Sequence, residues 1–361
     1  MLTLALSPLT ASRRGIHPLG TARVGRVDLP LARVGVARPR FDPGAVSDRG
    51  LCLVRVEAFS CNFRDRAISF TGGEQLAAGR GSVSFFGSEF AGRVVEVGED
   101  VTGVRVGDRV IPDATYPVRT DPGVSPGIVT NHASRGWLVL HPDQLVTVPD
   151  RMGAEAGAAF SLGAQTACSM VRRAAVRAGD RALVLSGRSN TSLFLTRRLL
   201  ADGVDVHVAS RGPWDADARR LLPGATFLDT ASDPWPDLAR SFDAVFDPFF
   251  DLHVGQAVDA LDFGGRYVTC GLQGQHRAFA EDPKLPGLGQ VLTTAIVRNL
   301  SIMGNCIGQR GDLQDALALH ARGVFDPVLD STWDLDGGVG FVERSFADRG
   351  RLGKVVMTYG D

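Results

Sequence analysis

The sequence predicts an α/β fold in which a β-rich domain is interrupted by a doubly wound, parallel-sheet domain. Three observations carry this. The chain has 361 residues, more than one ordinary core organises, so two domains are expected. Between Leu51 and Val110 the text is dense in short apolar stretches bounded by glycines, the pattern of antiparallel strands. After Pro149, short all-apolar strands alternate with helical stretches, the order that builds a parallel sheet.

Residues 1 to about 50 are rich in Arg, Pro and Gly and weakly periodic, which leaves open an irregular extension or a first hairpin with a ragged entry. Leu51–Val56 and Gly92–Gly98 read as strands, and Val101–Val110 alternates up to Gly107-Asp108-Arg109-Val110, a turn followed by a strand. Ala154–Arg173 reads as a helix, Ala182–Leu185 as a strand buried on both faces. A helix over Thr191–Ala201 and a strand over Val204–Ala209 complete a β-α-β unit. Strands at Ala244–Phe246 and Arg266–Cys270 continue the alternation, and the text after Phe325 returns to strand-like runs ending at Gly353–Met357. The expected domains are residues 1–150, 151–322 and a return over 323–361.

Composition limits the function. Hydrophobic residues make up 44% and charged residues 22%, the balance of a globular protein. A formal charge of -1 removes the electrostatic case for a nucleic-acid partner. No run approaches the ~20 apolar residues that span a bilayer. The apolar run Leu2–Leu9 precedes Arg13 and Arg14, the reverse of a secretory signal, so a cytoplasmic location is expected. The five cysteines, Cys52, Cys61, Cys168, Cys270 and Cys306, show no C-x-x-C spacing. Lysine occurs only at Lys284 and Lys354, which nearly excludes a catalytic lysine.

Several stretches, in order, resemble the medium-chain dehydrogenase/reductase superfamily. Asn62-Phe63-Arg64-Asp65 is similar to a segment of quinone oxidoreductases and polyketide enoyl reductases, and Gly87-Ser88-Glu89-Phe90-Ala91-Gly92 to their G-x-E-x-A-G segment. Val97-Gly98, Val106–Val110, Ala158–Ala167, Ala178-Gly179-Asp180, Pro327–Ser331 and Gly353–Val356 follow in the family's register. The resemblance implies a GroES-like β-barrel catalytic domain interrupted by a Rossmann domain, on the zinc-free branch. Where zinc-dependent members carry ligands, this chain has Asn62, Ser88 and Leu162, and an Asn/Ser/Leu set is a poor zinc site. No metal is expected.

In a Rossmann unit the first β-α turn receives a dinucleotide's pyrophosphate at a helix N-terminus. Here it reads Ser186-Gly187-Arg188-Ser189-Asn190-Thr191-Ser192. Of the three glycines in G-x-G-x-x-G only Gly187 remains; Ser189 and Ser192 take the other places. Gly187, Ser189, Asn190, Thr191 and Ser192 are the candidate phosphate-side residues, unless the turn has decayed and its serines act only as helix caps. The second strand ends in Ser210-Arg211 with no carboxylate, which suits a 2′-phosphate and so NADPH over NADH; Arg211 as a solvated loop residue is the plain alternative. Gly271, after a later strand, is expected to pass near the nicotinamide.

With no metal, the reaction suited to this scaffold is hydride transfer to an electron-poor alkene, helped by donors on its conjugated carbonyl. Asn62 is the candidate positioning residue, Thr166 lies where the family places a threonine near the nicotinamide, and Arg64 and Asp65 read as a local ion pair. For the proton, Tyr116, Cys61 and His132 are available polar groups, His132 in a polar loop between the two domains; solvent is the alternative. Three readings follow: a reductase of a conjugated C=C bond in a small molecule, natural-product intermediate or dehydroamino-acid residue of a peptide; a quinone or carbonyl reductase; or a binding relative without catalysis. The family also implies a homodimer through the Rossmann sheet edge.

Overall fold

The computed structural model describes residues 1–8, 15–115, 127–230, 238–272, 274, 287–347 and 350–360. In chain order, β1 (Leu2–Leu6), β2 (Ile16–Val24) and β3 (Val27–Gly35) come first. Then follow β4 (Cys52–Ser60), α1 (Asp65–Ala77), β5 (Glu89–Val97), β6 (Arg109–Pro112), β7 (Trp137–Leu140) and β8 (Leu145–Val148). The helices α2 (Ala154–Ala158) and α3 (Ser161–Ala174) lead to β9 (Arg181–Val184), α4 (Asn190–Ala201), β10 (Asp205–Ser210), α5 (Ala216–Arg220) and β11 (Thr226–Asp229). Next are β12 (Phe242–Asp247), α6 (Phe250–Ala260), β13 (Leu261–Thr269), α7 (Leu288–Arg298), β14 (Ser301–Gly304) and α8 (Arg310–Ala321). The described chain closes with β15 (Leu329–Trp333), α9 (Gly338–Ser345) and β16 (Lys354–Thr358).

The chain divides into two compact units. The first holds Met1–Ser161, Leu329–Asp348 and Lys354–Asp361; the second holds Leu162–Val328 and Arg349–Gly353. The first division therefore falls inside the α3 region, eleven residues beyond the expected Arg151 start.

In the first unit a seven-stranded sheet runs in the order β15-β16-β4-β5-β6-β8, with β7 also on β4. All its pairings are antiparallel except β15 with β16. Its core is aromatic: Phe59 packs against Phe86, Phe341 and Tyr359 at centroid distances of 6.0, 5.3 and 5.6 Å, the first two edge-to-face, a geometry that favours ring pairs. Of the two readings of the N-terminal residues, the first hairpin is present as β2 and β3 and the irregular extension is not. These residues form a separate three-stranded antiparallel sheet, β1-β3-β2, which the arginines scattered along its solvent side disguise as loop text. The expected turn at Gly107-Asp108 followed by a strand is present: Gly107 takes positive φ and β6 starts at Arg109. The expected helix over 154–173 breaks into α2 and α3 at Ala159 and Phe160.

In the second unit six parallel strands run in the order β11-β10-β9-β12-β13-β14. The order reverses direction between β9 and β12, the switch point at whose carboxyl edge open sheets bind ligands. Leu183, Phe242, Val245, Leu261 and Tyr267 fill one side of this sheet. Among the described residues no helix is long and apolar enough to cross a membrane.

Candidate active site

In the first unit, antiparallel pairing brings three strand ends together. Ser60, the last residue of β4, pairs with Glu89, the first of β5, and with Val356 of β16. The loop leaving β4 therefore meets the starts of its two neighbours, and it carries Asn62. Lys354 Nζ donates to Asn62 Oδ1 at 2.7 Å and to Glu89 Oε2 at 2.8 Å. Asn62 Nδ2 donates to Ser88 Oγ and Glu89 Oε2, both at 3.2 Å. Ser161 Oγ donates to the other oxygen of Glu89 at 3.3 Å. Lys354 is 4% exposed and Glu89 0%, so the pair is tolerable only because hydrogen bonds satisfy both charges.

A second carboxylate sits beside it. Asp65 Oδ2 accepts from Ser88 Oγ at 2.6 Å and from the Asn62 amide N–H at 2.7 Å. Arg64 Nη1 donates to Asp65 Oδ1 at 3.1 Å and to Asn131 Oδ1 at 2.9 Å, so the Arg64–Asp65 pair anticipated above is present. Burial pushes the Asp65 carboxyl up, opposed by Arg64, Ser88, the Asn62 N–H and Lys354. The node thus holds two carboxylates and two cations around a fixed amide.

Lys354, one of the two lysines in the chain, lies at the centre of this node, where it orients Asn62. The arrangement also bears on metal chemistry. An amide, a hydroxyl already donating to Asp65 and a carboxylate already paired with an ammonium do not fit zinc, which takes thiolate, imidazole or carboxylate ligands. A divalent cation here would have to displace Lys354 against Coulomb repulsion. Among the described residues, no group of three or more His, Cys, Asp or Glu is arranged to hold a metal ion.

The second unit contains the other candidates. Gly187 follows β9, and a Cβ there would meet Val208 Cγ2 at 2.3 Å and Trp214 Cζ2 at 2.9 Å, so only glycine lets the turn lie this close to β10. The residue with positive φ is Ser186, at 50°. Ser189 is the N-cap of α4, its Oγ accepting from the Ser192 N–H at 3.2 Å, while Ser192 Oγ donates to the Leu185 carbonyl at 2.8 Å. The serines do cap the helix, and Asn190 and Thr191 stand in its first turn, where N–H groups lack a preceding helical carbonyl. A cleft of about 210 Å³ opens beside this turn, lined by Leu185, Ser186, Ala209, Ser210, Arg211, Thr230, Leu252 and His253. Among the described residues no carboxylate lines it. Ser210 Oγ accepts from the Gly212 N–H at 3.0 Å, and Arg211 is exposed. A phosphate-bearing nucleotide fits this donor set.

The remaining candidates are dispersed. Thr166 is buried on α3 in the second unit. His132 belongs to the first unit and is exposed, its Nδ1 3.3 Å from the Phe85 carbonyl oxygen. Cys61 is buried. Tyr116 lies outside the described residues. Gly271 has a structural reason of its own: a Cβ would stand 2.2 Å from the Pro248 carbonyl oxygen. Glu89, Lys354 and His253 were not singled out by sequence. Glu89 stood in a family motif read only for register, and the partners of Lys354 lie 265 and 292 residues away.

Residues 48–150 match the alcohol dehydrogenase GroES-like domain family. An acryloyl-coenzyme A reductase of Metallosphaera sedula is 26% identical over 292 residues, covering 75% of this chain and 82% of that protein. The polyketide synthase GfsB of Streptomyces halstedii is 28% identical over 323 residues; the match takes in 86% of this chain and 5% of that much longer protein. The crystal structure of an NAD-dependent alcohol dehydrogenase superposes with a TM-score of 0.74 at 23% identity, over 96% of this chain and 100% of that one. Residues 48–150 thus form an alcohol dehydrogenase GroES-like domain, and the chain as a whole carries the fold of the medium-chain dehydrogenases and reductases.

Proposed function

We propose that the chain is an NADPH-dependent reductase of a conjugated C=C bond, working without zinc on a small molecule or natural-product intermediate. The observation that carries this reading is the ammonium of Lys354 held between Asn62 and Glu89, where a zinc-dependent relative would need metal ligands. Without a Lewis acid, an alkene activated by its own carbonyl is a more tractable hydride acceptor than an unactivated ketone. The likeness to an acryloyl-coenzyme A reductase and to a polyketide synthase supports a thioester or natural-product substrate.

A bound nicotinamide supplies the hydride; the protein's residues orient the partners. Asn62 is pinned by Lys354 at its carbonyl, which directs Nδ2 away from that ammonium. To donate to a substrate carbonyl, Nδ2 releases its 3.2 Å contact with Ser88, whose hydroxyl keeps Asp65 as acceptor. That exchange costs about one ordinary hydrogen bond, ~0.5–1.5 kcal/mol, and leaves no group unpaired. The proton that completes the reduction is assigned to solvent. Ser210 and Arg211 take the nucleotide's 2′-phosphate.

Oxidation of NADPH and of NADH by the purified protein, followed by absorbance against enones, enoyl thioesters, dehydroalanine peptides and quinones, tests the reading. Turnover of an enone or enoyl thioester with NADPH, unchanged after dialysis against a chelator, is expected. Turnover of quinones alone assigns quinone reduction instead, and binding of neither nucleotide rejects the enzyme reading.

A further inference from the structure

The cleft at the carboxyl edge of β9 and β10 contains a titratable residue to which the proposed function gives no role. His253 stands in the first turn of α6, half-buried, and its Nε2 lies 3.4 Å from Ser186 Oγ. Ser186 and Leu185 come from the end of β9, Ser210 and Arg211 from the end of β10, Thr230 from the end of β11, and Leu252 and His253 from α6. Three strand ends and one helix start therefore surround a single space, and one arginine and one imidazole face it.

We propose that His253 is a second phosphate-recognising group of this cleft, taking up a proton as a nucleotide phosphomonoester binds beside Arg211. The inference rests on the NADPH reading above and deepens it, naming the 2′-phosphate as the group that His253 meets.

Among the described residues, Arg211 and Asp251 bear on the charge of the imidazole. Arg211 faces it from the segment after β10, and Asp251 stands on its own helix; β9 contributes the hydroxyl of Ser186 and the end of β11 that of Thr230, neither titratable. Asp229 precedes Thr230 but does not line the cleft. Asp251 also accepts from the Gly274 N–H at 3.2 Å, which shares its charge. Burial and then Arg211 push the His253 imidazole down to about 4, against the opposing pull of Asp251. Among the described residues, the cleft thus presents a neutral imidazole and the Arg211 guanidinium. A phosphomonoester carries about -1.5 to -2 charge at neutral pH. Brought against both groups, it reverses the field at His253: repulsion from Arg211 is cancelled, and a cationic imidazole becomes a charge-assisted donor. The proton comes from solvent, so binding is linked to pH.

Linkage sets the sign. A group protonated only in the complex strengthens binding as pH falls, so NADPH should bind about tenfold more tightly near pH 6 than near pH 8 through this group. The 2′-phosphate's own ionisation near pH ~6 acts in the opposite sense, and comparison with a His253 variant removes it. Calorimetric titration of the full chain with NADPH and with NADH, in two buffers of different ionisation enthalpy, counts the protons exchanged. Wild-type protein should take up about half a proton more than His253→Gln on binding NADPH near pH 7, with no such difference for NADH. His253→Asn serves as a second variant, and retained NADH binding shows that either variant is folded. Equal proton counts for wild type and both variants, with NADPH still bound, overturn the role of His253 alone. Binding of neither nucleotide by the wild type overturns the cofactor reading and this inference with it.

Discussion

Lys354 shows at the scale of one residue how much of a site depends on pairing. Replacing it by methionine keeps the volume and removes the charge, leaving the carboxylate of Glu89 buried without the ammonium that lies 2.8 Å from it. Lys354→Met should cost about 3–5 kcal/mol of unfolding free energy in urea denaturation. The double variant Lys354→Met, Glu89→Gln should recover most of that loss; equal instability of the single and double variants would sink the account. Arg211→Ala is the complementary case, because an exposed side chain carries binding and not folding. It should weaken NADPH by tenfold or more, on the order of 1.4 kcal/mol, with a smaller effect on NADH; equal losses for both nucleotides would remove its phosphate role. Both residues illustrate what a sequence displays. Asn62 and Ser88 were legible because they occupy motif positions, and Arg211 because it follows a strand. Lys354 also stands in a motif, but its role was not legible, since its partners are near only after folding.

At the scale of an element, the turn between β9 and α4 departs from the glycine pattern yet keeps the geometry that the pattern serves. Gly187 answers to crowding by Val208 and Trp214, while the positive φ falls on Ser186. Gly187→Ala should therefore push the turn off β10, costing about 1–3 kcal/mol of stability and weakening nucleotide binding; unaltered binding and stability would refute the crowding. Sequence identified this turn and the β-α-β unit because apolar strands buried on both faces are conspicuous. It left the hairpin of β2 and β3 as one of two readings and missed β1, because arginine and proline interrupt these strands. The end of β12 adds a pH response. Asp247 is buried, accepting from the Tyr267 hydroxyl and the Phe249 N–H, both at 2.8 Å. Burial pushes its carboxyl up to about 6 against these two donors. The folded chain then keeps a proton that the unfolded chain has released, so this group favours the fold below pH ~4 and ceases to do so as pH rises through ~6. Between about pH 4 and pH 7 the wild type should lose ~2–3 kcal/mol relative to Asp247→Asn. Parallel pH profiles of the two proteins would contradict this.

At the scale of the whole molecule, the interruption of one domain by another was legible from the change of period alone. Its boundaries were not, because helical text runs through Ser161 without a break in composition. The edge of the six-stranded sheet carries a further expectation. β14 is an edge strand whose Ile302 is 43% exposed, and α7 leaves Leu288, Leu292, Ile296 and Val297 exposed, Ile296 at 75%. An unpaired edge beside apolar side chains invites a second strand. We propose pairing with a second copy through β14, which light scattering would report as a dimer that Ile302→Lys with Ile296→Glu converts to monomer; a monomeric wild type would reject it. The node around Lys354 has a temporal consequence as well. Its ammonium comes from β16 and its carboxylate from β5, 265 residues earlier in the chain. At ~5–20 residues per second of synthesis, Glu89 leaves the ribosome on the order of tens of seconds before its counter-ion exists. Through that interval the nascent first unit lacks the strand that neutralises it, so its final closure waits on the translation of β16.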